Sequence, residues 1–395
     1  MRLRHQLPVF SPLPARAVLA GVAGLVSPPA GALGAIEARI QARFAARRVL
    51  LVDSGTSALA LALRAAAAAQ RGRPVALPAW GCYDLATAAD AADVKVVLYD
   101  LDPATLGPDW ASLRAALSAG IAAVVIAHYY GVPVDLPAVS ALCAEAGVLL
   151  IEDAAQGAGG MLGGVPLGAL GPVSVLSFGR GKGLTGGAGG ALLATRPEGE
   201  LVLVAAAPRV AAAGSALKAT VALAAQWLLG RPALYGVPAS LPWLQLGQTL
   251  YHPAHPASAL PAAAAAVLDR VWDTAHAAAE GRRRRAAAWH SVLPAGWTPI
   301  VPPAGSAAGW LRFPVLAPSA DAPVLDARAR TLGIAPGYPK ALVDLEGFVA
   351  RATNPGGPFS GSRTLAARLV TLPTHERVSD ADVVQTQQWM TSRPG

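Results

Sequence analysis

Residues 122–156 decide the fold: they read AAVVIAHYYGVPVDLPAVSALCAEAGVLLIEDAAQ. The stretch opens with a mainly apolar run over 122–128, in which three residues are β-branched, and continues with a helical pattern over 136–146. A second apolar run over 148–152 closes it. A strand, a helix and a second strand in this order predict a βαβ unit, in which the two strands lie parallel in one sheet.

The same alternation extends to both sides of this stretch, from about residue 37 to residue 200. Further strands are predicted over 49–52, 74–77, 94–99, 173–178 and 190–194, and further helices over 56–69 and 109–119. This alternation predicts a largely parallel sheet that is covered on both faces by helices. Ligands of such sheets bind beyond the carboxyl ends of the strands, so the residues that follow each strand are the candidates for a functional site.

After residue 200 the pattern changes to alanine-rich helical stretches. A long helix is predicted over 261–292, a strand over 310–315 and a terminal helix over 380–391. We therefore predict two domains: a large domain with its N-terminal segment over residues 1–254, and a smaller α+β domain over residues 255–395.

Composition excludes several classes of protein. With 53% hydrophobic and 14% charged residues in a chain of 395, the sequence is not typical of a disordered protein. Its two cysteines, Cys82 and Cys143, exclude a disulfide framework and a four-cysteine zinc site, and no metal site is predicted. The net charge of +8 comes from scattered basic residues, apart from a run over 282–285 that we interpret as a solvated helix face. We therefore predict no nucleic-acid partner.

The N-terminus has some features of a signal peptide, with basic residues before an apolar run over 17–26. Pro8, Pro12 and Pro14 interrupt the approach to that run, which is short, so we predict a cytoplasmic protein. A second apolar segment, over 217–250, is broken by prolines and is too short to span a bilayer. Three interpretations stay open for it: a peripheral membrane contact, a lid over an apolar substrate, or a subunit interface.

Three predicted strand ends carry polar groups with complementary chemistry. Residues 54–59, SGTSAL, turn from a strand into a helix, so free amides and hydroxyls form an anion site there. Residues 151–156, IEDAAQ, place a carboxylate beyond a buried strand, and residues 177–182, SFGRGK, place a lysine in a glycine-rich loop. The chain has four lysines in all: Lys95, Lys182, Lys218 and Lys340.

An anion site, a carboxylate and an amine at neighbouring strand ends suit pyridoxal 5'-phosphate. This cofactor needs its phosphate held, its ring nitrogen kept protonated by a carboxylate such as Asp153, and its aldehyde bonded to an amine such as that of Lys182. A nearby cation lowers the pKa of a lysine and so frees its lone pair. Arg180 is the candidate for that cation.

The motifs resemble those of the DegT/DnrJ/EryC1/StrS aminotransferases, often called sugar aminotransferases. The most specific of them are the 152–156 motif EDAAQ and Ser177-Phe178 followed by Lys182. The resemblance also covers 54–59 SGTSAL, 128–131 HYYG and 372–375 LPTH, and it extends over nearly the whole chain. It implies the fold of type I PLP-dependent transferases, with a mixed, mostly parallel seven-stranded sheet flanked by helices and a smaller C-terminal α+β domain.

The resemblance also implies a role for each site residue. Lys182 would bond the cofactor's aldehyde and move protons, and Asp153 would pair with the ring nitrogen. The remaining predicted cofactor contacts are Gly55, Thr56, Ser57 and Ser177 on the phosphate side, Gln156 on the side of the ring oxygen, and Cys82. The implied reaction moves an amino group from glutamate to a keto-sugar nucleotide, in a homodimer that makes polysaccharide or glycoside precursors.

The sequence departs from the family pattern in three places. Cys82 stands where relatives often place an aromatic ring, with Trp80 and Tyr83 nearby. Pro253 and His255 stand where relatives carry an Asn and an Arg that reach the partner's site. The segment over 217–250 is apolar where a polar loop is usual, so two alternatives stay open: a PLP enzyme for a less polar or lipid-linked carbonyl substrate, and a non-catalytic PLP-binding regulator.

Overall fold

The computed structural model describes residues 4–27, 29–244, 249–321 and 326–393. Its strands are β1 (Arg48–Val52), β2 (Val75–Pro78), β3 (Val96–Tyr99), β4 (Ala123–Ala127), β5 (Leu149–Asp153), β6 (Met161–Leu162), β7 (Val165–Pro166), β8 (Val173–Ser177), β9 (Gly190–Ala194), β10 (Thr298–Pro299), β11 (Ser306–Ala307), β12 (Phe313–Leu316), β13 (Ala335–Pro336) and β14 (Leu369–Leu372). Its helices are α1 (Ala15–Val26), α2 (Ala32–Phe44), α3 (Gly55–Ala69), α4 (Asp84–Ala92), α5 (Trp110–Ser118), α6 (Leu136–Ala146), α7 (Pro197–Ala206), α8 (Leu217–Leu229), α9 (Pro232–Ala239), α10 (Ala262–Val271), α11 (Thr274–Ser291), α12 (Ala327–Thr331), α13 (Ser360–Arg368) and α14 (Asp380–Thr391).

The central sheet has seven strands in the order β1-β9-β8-β5-β4-β2-β3. β3, β2, β4, β5 and β8 pair in parallel, and β9 runs antiparallel to both β8 and β1. The predicted α/β class with a mostly parallel seven-stranded sheet is confirmed. Ten of the predicted strands and helices have the same bounds or differ from them by only one residue at either end: β1, β2, β4, β5, β8, β9, α3, α5, α6 and α14.

Helices cover both faces of this sheet because its strands are apolar on both sides. One core lies between the sheet and α3, α4 and α7, where alanines let the helices approach closely. A second core lies between the opposite face and α2 and α10. The antiparallel sheet β10-β12-β14-β13 forms a separate core with α11 and α14 around Trp289 and Trp389.

The prediction of a single helix over 261–292 is wrong in one respect, because the structure has two helices there. α10 ends at Val271 and α11 begins at Thr274. The break allows α10 to pack against α1 and α2 on the central sheet, while Trp289 of α11 packs in the core of the C-terminal sheet. A helical pattern in the sequence cannot show that its two halves serve different cores.

Two further expectations are corrected by the structure. The strand predicted from residue 310 begins at Phe313, because Trp310 takes a left-handed conformation with φ of 43°. The run over 282–285 is not a uniformly solvated face, since Arg282 is buried and donates hydrogen bonds to the carbonyls of Gly309 (2.6 Å) and Ala158 (2.7 Å). Carbonyl acceptors that folding places in distant loops are not visible in a charge pattern.

No helix within the described ranges is long and apolar enough to cross a bilayer.

Candidate active site

A cavity opens at the carboxyl ends of the parallel strands, as the fold predicts. With its open mouth it encloses about 480 Å³. Seven of the eight predicted site residues line it: Gly55, Thr56, Cys82, Asp153, Gln156, Ser177 and Lys182. The eighth, Ser57, lies outside the lining. The cavity thus brings together strand ends that are far apart in the sequence.

One end of the cavity carries the hydrogen-bond donors that an anion requires. Gly55 and Thr56 are the first residues of α3, so their amides have no acceptor within the helix. The hydroxyl groups of Thr56 and Ser177 also line the cavity, and neither makes a hydrogen bond to another described residue. A Cβ at position 55 would lie 2.8 Å from the Cβ of Ser177, so only glycine allows β8 to approach the helix this closely.

Ser57 has a different task in the structure. Its amide donates to Ser54 Oγ at 3.1 Å, and Ser54 Oγ donates to Ser57 Oγ at 2.9 Å. The pair caps the N-terminus of α3 and leaves Thr56 as the hydroxyl that faces the cavity. A cofactor contact by Ser57 stays a prediction.

Asp153 ends β5 inside the cavity, where it is partly buried. The one hydrogen bond to its carboxylate within the described structure comes from the amide of Ala155 to Oδ1, at 2.9 Å. Burial raises the pKa of the Asp153 carboxyl, while the Ala155 amide and the charge of Lys182 act in the opposite direction. The second carboxylate oxygen is thus available to a ligand that carries a proton.

The carboxylate before it, Glu152, is fully buried and points to the other face of the sheet. Five groups donate to its two oxygens: the amides of Gly168, Leu170 and Gly171, the hydroxyl of Ser174, and His128 Nε2 at 3.1 Å. Burial alone would raise the pKa of Glu152, but His128 and the glycine amides outweigh it, and the pKa is lowered. Glu152 is a structural anion.

His128 connects this buried cluster to the cavity, which it also lines. The amide of Val134 donates to its Nδ1 at 3.1 Å, so the hydrogen is assigned to Nε2, which faces Glu152. The ring is thereby fixed in one tautomer and one orientation beside Asp153.

Lys182 lies in the loop between β8 and β9 and faces the cavity. Its charge acts on the pKa values of both Asp153 and Cys82, which places the amine among the cavity's polar groups. No ion pair within 4.0 Å joins Lys182 to a described carboxylate, so its amine is not held by the protein. Arg180, two residues earlier, is exposed.

Of the three residues considered for contact with a cofactor ring, only Cys82 lines the cavity. Burial and the nearby Asp84 raise the pKa of the Cys82 thiol to about 12, so the thiol stays protonated. Trp80 is fully buried and donates from Nε1 to the carbonyl of Tyr338 at 2.8 Å. Asp84, which also lines the cavity, was missed; its position as the first residue of the helix that follows β2 is the signal that could have found it.

Gln156 joins the strand end to the C-terminal part of the chain. Its Oε1 accepts from the Tyr130 amide at 3.1 Å, and its Nε2 donates to the Tyr338 hydroxyl at 2.8 Å. The rings of Tyr130 and Tyr338 stack, with centroids 6.0 Å apart and planes at 15°. Tyr338 is 182 residues from Gln156, so no local pattern marks it as a site residue.

A cation without a carboxylate partner lies beside these tyrosines. Arg312 is partly buried, and its Nε donates to the Pro8 carbonyl at 3.3 Å. Burial lowers the pKa of its guanidinium, and the phenols of Tyr130, Tyr338 and Tyr235 oppose that shift. Within the described part of the chain Arg312 forms no ion pair.

The residues that replace the partner-reaching Asn and Arg of relatives lie near the anion end. His255 is about half exposed; its Nδ1 lies 3.6 Å from Asp53 Oδ2, immediately before Ser54. The segment over 217–250 forms α8, α9 and a short 3-10 helix, Pro242–Leu244, while residues 245–248 lie outside the described ranges.

Comparison with known proteins agrees with this arrangement. Residues 32–206 match the model of the DegT/DnrJ/EryC1/StrS aminotransferase family. The chain is 32% identical over 151 residues to a dTDP-4-dehydro-2,3,6-trideoxy-D-glucose 4-aminotransferase from Saccharopolyspora spinosa, covering 38% of the chain and 39% of that protein. It is 36% identical over 145 residues to an L-glutamine:2-deoxy-scyllo-inosose aminotransferase from Streptoalloteichus tenebrarius, covering 37% of the chain and 34% of that protein.

The chain thus spans less than two fifths of the length of these curated relatives in either alignment. Over its full length it has the fold of the sugar aminotransferase CalS13 from Micromonospora echinospora. The TM-score is 0.74 at 22% identity, and 97% of this chain and 98% of that chain are covered.

Proposed function

Residues 32–206 belong to the DegT/DnrJ/EryC1/StrS aminotransferase family, and from that premise we propose that the protein is a PLP-dependent aminotransferase. The observation that carries the proposal is the meeting of three unpartnered groups in one cavity: the amine of Lys182, the free oxygen of Asp153, and the hydroxyls and amides at the start of α3. Each is polar, at least partly screened from water, and without a full set of protein partners, which is the condition of a ligand site.

The chemistry of these groups fits the cofactor. The Gly55 and Thr56 amides with the Thr56 and Ser177 hydroxyls would hold its phosphate, since helix N-termini favour anions. Asp153 would keep a proton on the ring nitrogen. When bound, the cofactor supplies an electron-withdrawing ring that stabilises negative charge on the carbon next to the amine.

Lys182 would then move protons at its Nζ. The amine is suited to this task because no carboxylate of the described residues holds it, so it can pivot within the glycine-rich loop. Lys182 and Asp153 are therefore the proposed catalytic residues, while Gln156 and Cys82 complete the cofactor's surroundings in the proposal.

Borohydride reduction tests the cofactor assignment directly. After incubation with PLP, reduction and digestion, we expect the peptide containing Lys182 to carry the cofactor. Lys182→Ala should carry none, while the matched control Lys95→Ala, whose lysine lies on the surface and donates to the Ala350 carbonyl, should be labelled like the wild type. A protein that stays colourless with PLP and gives no labelled peptide would overturn the proposal.

We propose glutamate as the amino donor, with Arg312 as the cation that holds one of its carboxylates. The support is that Arg312 has hydrogen-bond donors to spare and lies beside Tyr338, which contacts Gln156 in the cavity wall. A planar guanidinium binds carboxylate through two parallel hydrogen bonds. Bleaching of the visible band by glutamate, compared with glutamine and with the Arg312→Leu variant, identifies the donor.

We propose a keto-sugar nucleotide as acceptor, in a cytoplasmic homodimer that serves polysaccharide or glycoside biosynthesis. The named activities of the curated relatives, on a dTDP-linked sugar and on an inosose, support a polyol-like carbonyl compound. Incubation of the aminated holoenzyme with dTDP- and UDP-keto sugars, followed by mass spectrometry of the product, tests the acceptor. Light scattering of the eluted protein tests the dimer.

One observation favours a second candidate, a less polar or lipid-linked acceptor. Tyr235 of α9 lies close enough to Arg312 to influence its pKa, so the apolar segment reaches the cavity's neighbourhood. Amination of a polyprenyl-linked keto sugar but not of the free nucleotide sugar would select this candidate. A protein that binds PLP and turns over neither compound would instead be a regulator.

A further inference from the structure

Three helices expose an unusual amount of apolar surface. The helical surface consists of Leu19, Val22 and Val26 on α1, Leu217, Val221 and Leu228 on α8, and Trp243 after α9. The spacings of three, four, seven and eleven residues place the members on each helix along one face. Leu19 is 67% exposed, Val221 59% and Trp243 73%, so the described chain leaves most of the surface of these side chains uncovered.

The opposite faces of these helices are already used. Ala17 and Val18 of α1 and Leu223 of α8 pack with Val267 of α10 in one core. Gly21 brings α1 so close to α10 that a Cβ there would lie 2.9 Å from Val267 Cγ2. Because the inward faces are fixed on α10, the exposed apolar faces of α1 and α8 point away from the protein, side by side.

The charges around this surface have one sign. No Asp or Glu occurs in residues 1–36 or 201–268, the two parts of the chain that supply it. Arg16, Lys218 and Arg231 are exposed on the same helices or directly between them. Arg231 lies over the ring of Trp227, and within the described residues neither Arg16 nor Lys218 forms an ion pair.

These charges argue against a second copy of the chain as the occupant. A two-fold contact would place the same acid-free, cationic surface against itself and leave its positive charges facing one another. A lid over the cavity does not fit either, since the apolar stripes point outward. Exposed Leu, Val and Trp with flanking Lys and Arg are the composition of a surface that lies flat on anionic lipid.

We propose that this helical surface docks the protein on a bilayer that contains anionic phospholipid. The apolar side chains enter the boundary between headgroups and acyl chains, and Arg16, Lys218 and Arg231 contact the lipid phosphates. α9, the next helix after α8, is joined to the N-terminal segment, since its Pro232 carbonyl accepts from the His5 amide. The proposal does not rest on the aminotransferase activity, because docking is measured without substrate.

Vesicle sedimentation of the full-length, PLP-incubated protein tests the proposal. We expect binding to vesicles of phosphatidylcholine with a third of phosphatidylglycerol, weaker binding at high salt, and little binding to phosphatidylcholine alone. Leu19→Glu should lower the partition coefficient by about tenfold or more, because it replaces an inserted apolar side chain by a negative charge that the anionic lipid repels. Lys218→Gln should weaken it about fivefold.

Leu201→Glu is the matched control. Leu201 is 72% exposed on α7, which packs on the opposite face of the central sheet, so this variant should bind vesicles like the wild type. For charge, Arg73→Gln in the exposed turn after α3 should likewise have no effect. Circular dichroism of each variant checks that the fold is kept.

Three results would overturn the proposal. The first is wild-type protein that stays in the supernatant with anionic vesicles. The second is an equal loss of binding in Leu19→Glu and Leu201→Glu, which would mean that no particular surface is used. The third is conversion of a dimer to a monomer by Leu19→Glu in light scattering, which would make the helical surface a subunit interface.

Discussion

The two sides of β5 hold consecutive carboxylates under opposite conditions. Behind the strand, Glu152 accepts five hydrogen bonds and its pKa is lowered. In front of it, the Asp153 carboxylate accepts one hydrogen bond from the described residues, that of the Ala155 amide, and its pKa is raised. The protein supplies hydrogen-bond donors to both oxygens of Glu152 but leaves one oxygen of Asp153 to a ligand. Replacing each carboxylate by an amide should therefore reduce stability at Glu152 and catalysis at Asp153.

The largest effect is expected from Glu152→Gln. An amide in this place turns an NH₂ group toward N–H donors and leaves several of them unpaired, which costs about 3–5 kcal/mol of unfolding free energy. Urea unfolding followed by circular dichroism measures the loss. A change below about 1 kcal/mol would show that the five hydrogen bonds to Glu152 are not what holds the 168–171 loop in place.

The pH dependence of this carboxylate has a definite sign. Because the folded pKa of Glu152 is lowered, its stabilisation is complete above the pKa of the unfolded chain, about 4.3, and is lost as the pH falls through the folded value. In Glu152→Gln this part of the acid-induced loss should be missing.

Asp153→Asn should act on catalysis instead. Asn has the same shape but no charge, so we expect amino transfer to slow by about 10²–10³-fold, equivalent to roughly 3–4 kcal/mol in the barrier, while the urea midpoint changes little. Single-turnover measurements of the PLP-loaded enzyme provide the rate. Loss of stability as large as in Glu152→Gln would remove the distinction between the two sides of β5.

The buried ring of His375 is a third case, because only one of its two nitrogens has a hydrogen-bond partner among the described residues. Its Nε2 donates to the Leu7 carbonyl at 2.8 Å, while its buried Nδ1 has no partner among the described residues, and burial lowers its pKa to about 4. The neutral ring therefore stabilises the fold fully above pH ~6.5, and up to roughly 3 kcal/mol is lost as the pH falls toward 4. Urea titrations between these pH values should show a flatter profile for His375→Gln than for the wild type.

The smallest expected effect distinguishes the Ser54–Ser57 pair, which caps α3, from the Thr56 hydroxyl, which faces the cavity. Ser54→Ala removes the cap of α3 and should cost about 1 kcal/mol of unfolding free energy. Thr56→Val removes a hydroxyl that bonds no described residue, so it should leave stability unchanged and weaken PLP binding. Equal effects of the two changes on PLP affinity would contradict the separate roles assigned to them.

The sequence predicted the fold and most of the polar residues that meet in the cavity, because both follow from local order. Alternating strands and helices predict the sheet, and a ligand site at strand ends follows from the sheet, which led to Lys182 and Asp153. The tyrosines and Arg312 could not be found in this way. Tyr338 meets Gln156 across 182 residues and Arg312 meets Pro8 across 304, and no periodicity records such contacts.

The sequence by itself determined an α/β protein with an amine, a carboxylate and an anion site at neighbouring strand ends, since these depend on short-range patterns. Only the tertiary structure decided which polar groups stay free. In the folded chain, Glu152 accepts five hydrogen bonds, whereas one carboxylate oxygen of Asp153 stays free for a ligand. Ser57 bonds to Ser54, while Thr56 faces the cavity. The tertiary structure also fixed one face of α1 and α8 on α10, so that their other apolar faces point outward. These outcomes depend on which distant groups meet, because hydrogen bonding and burial are properties of the packed chain and not of its composition.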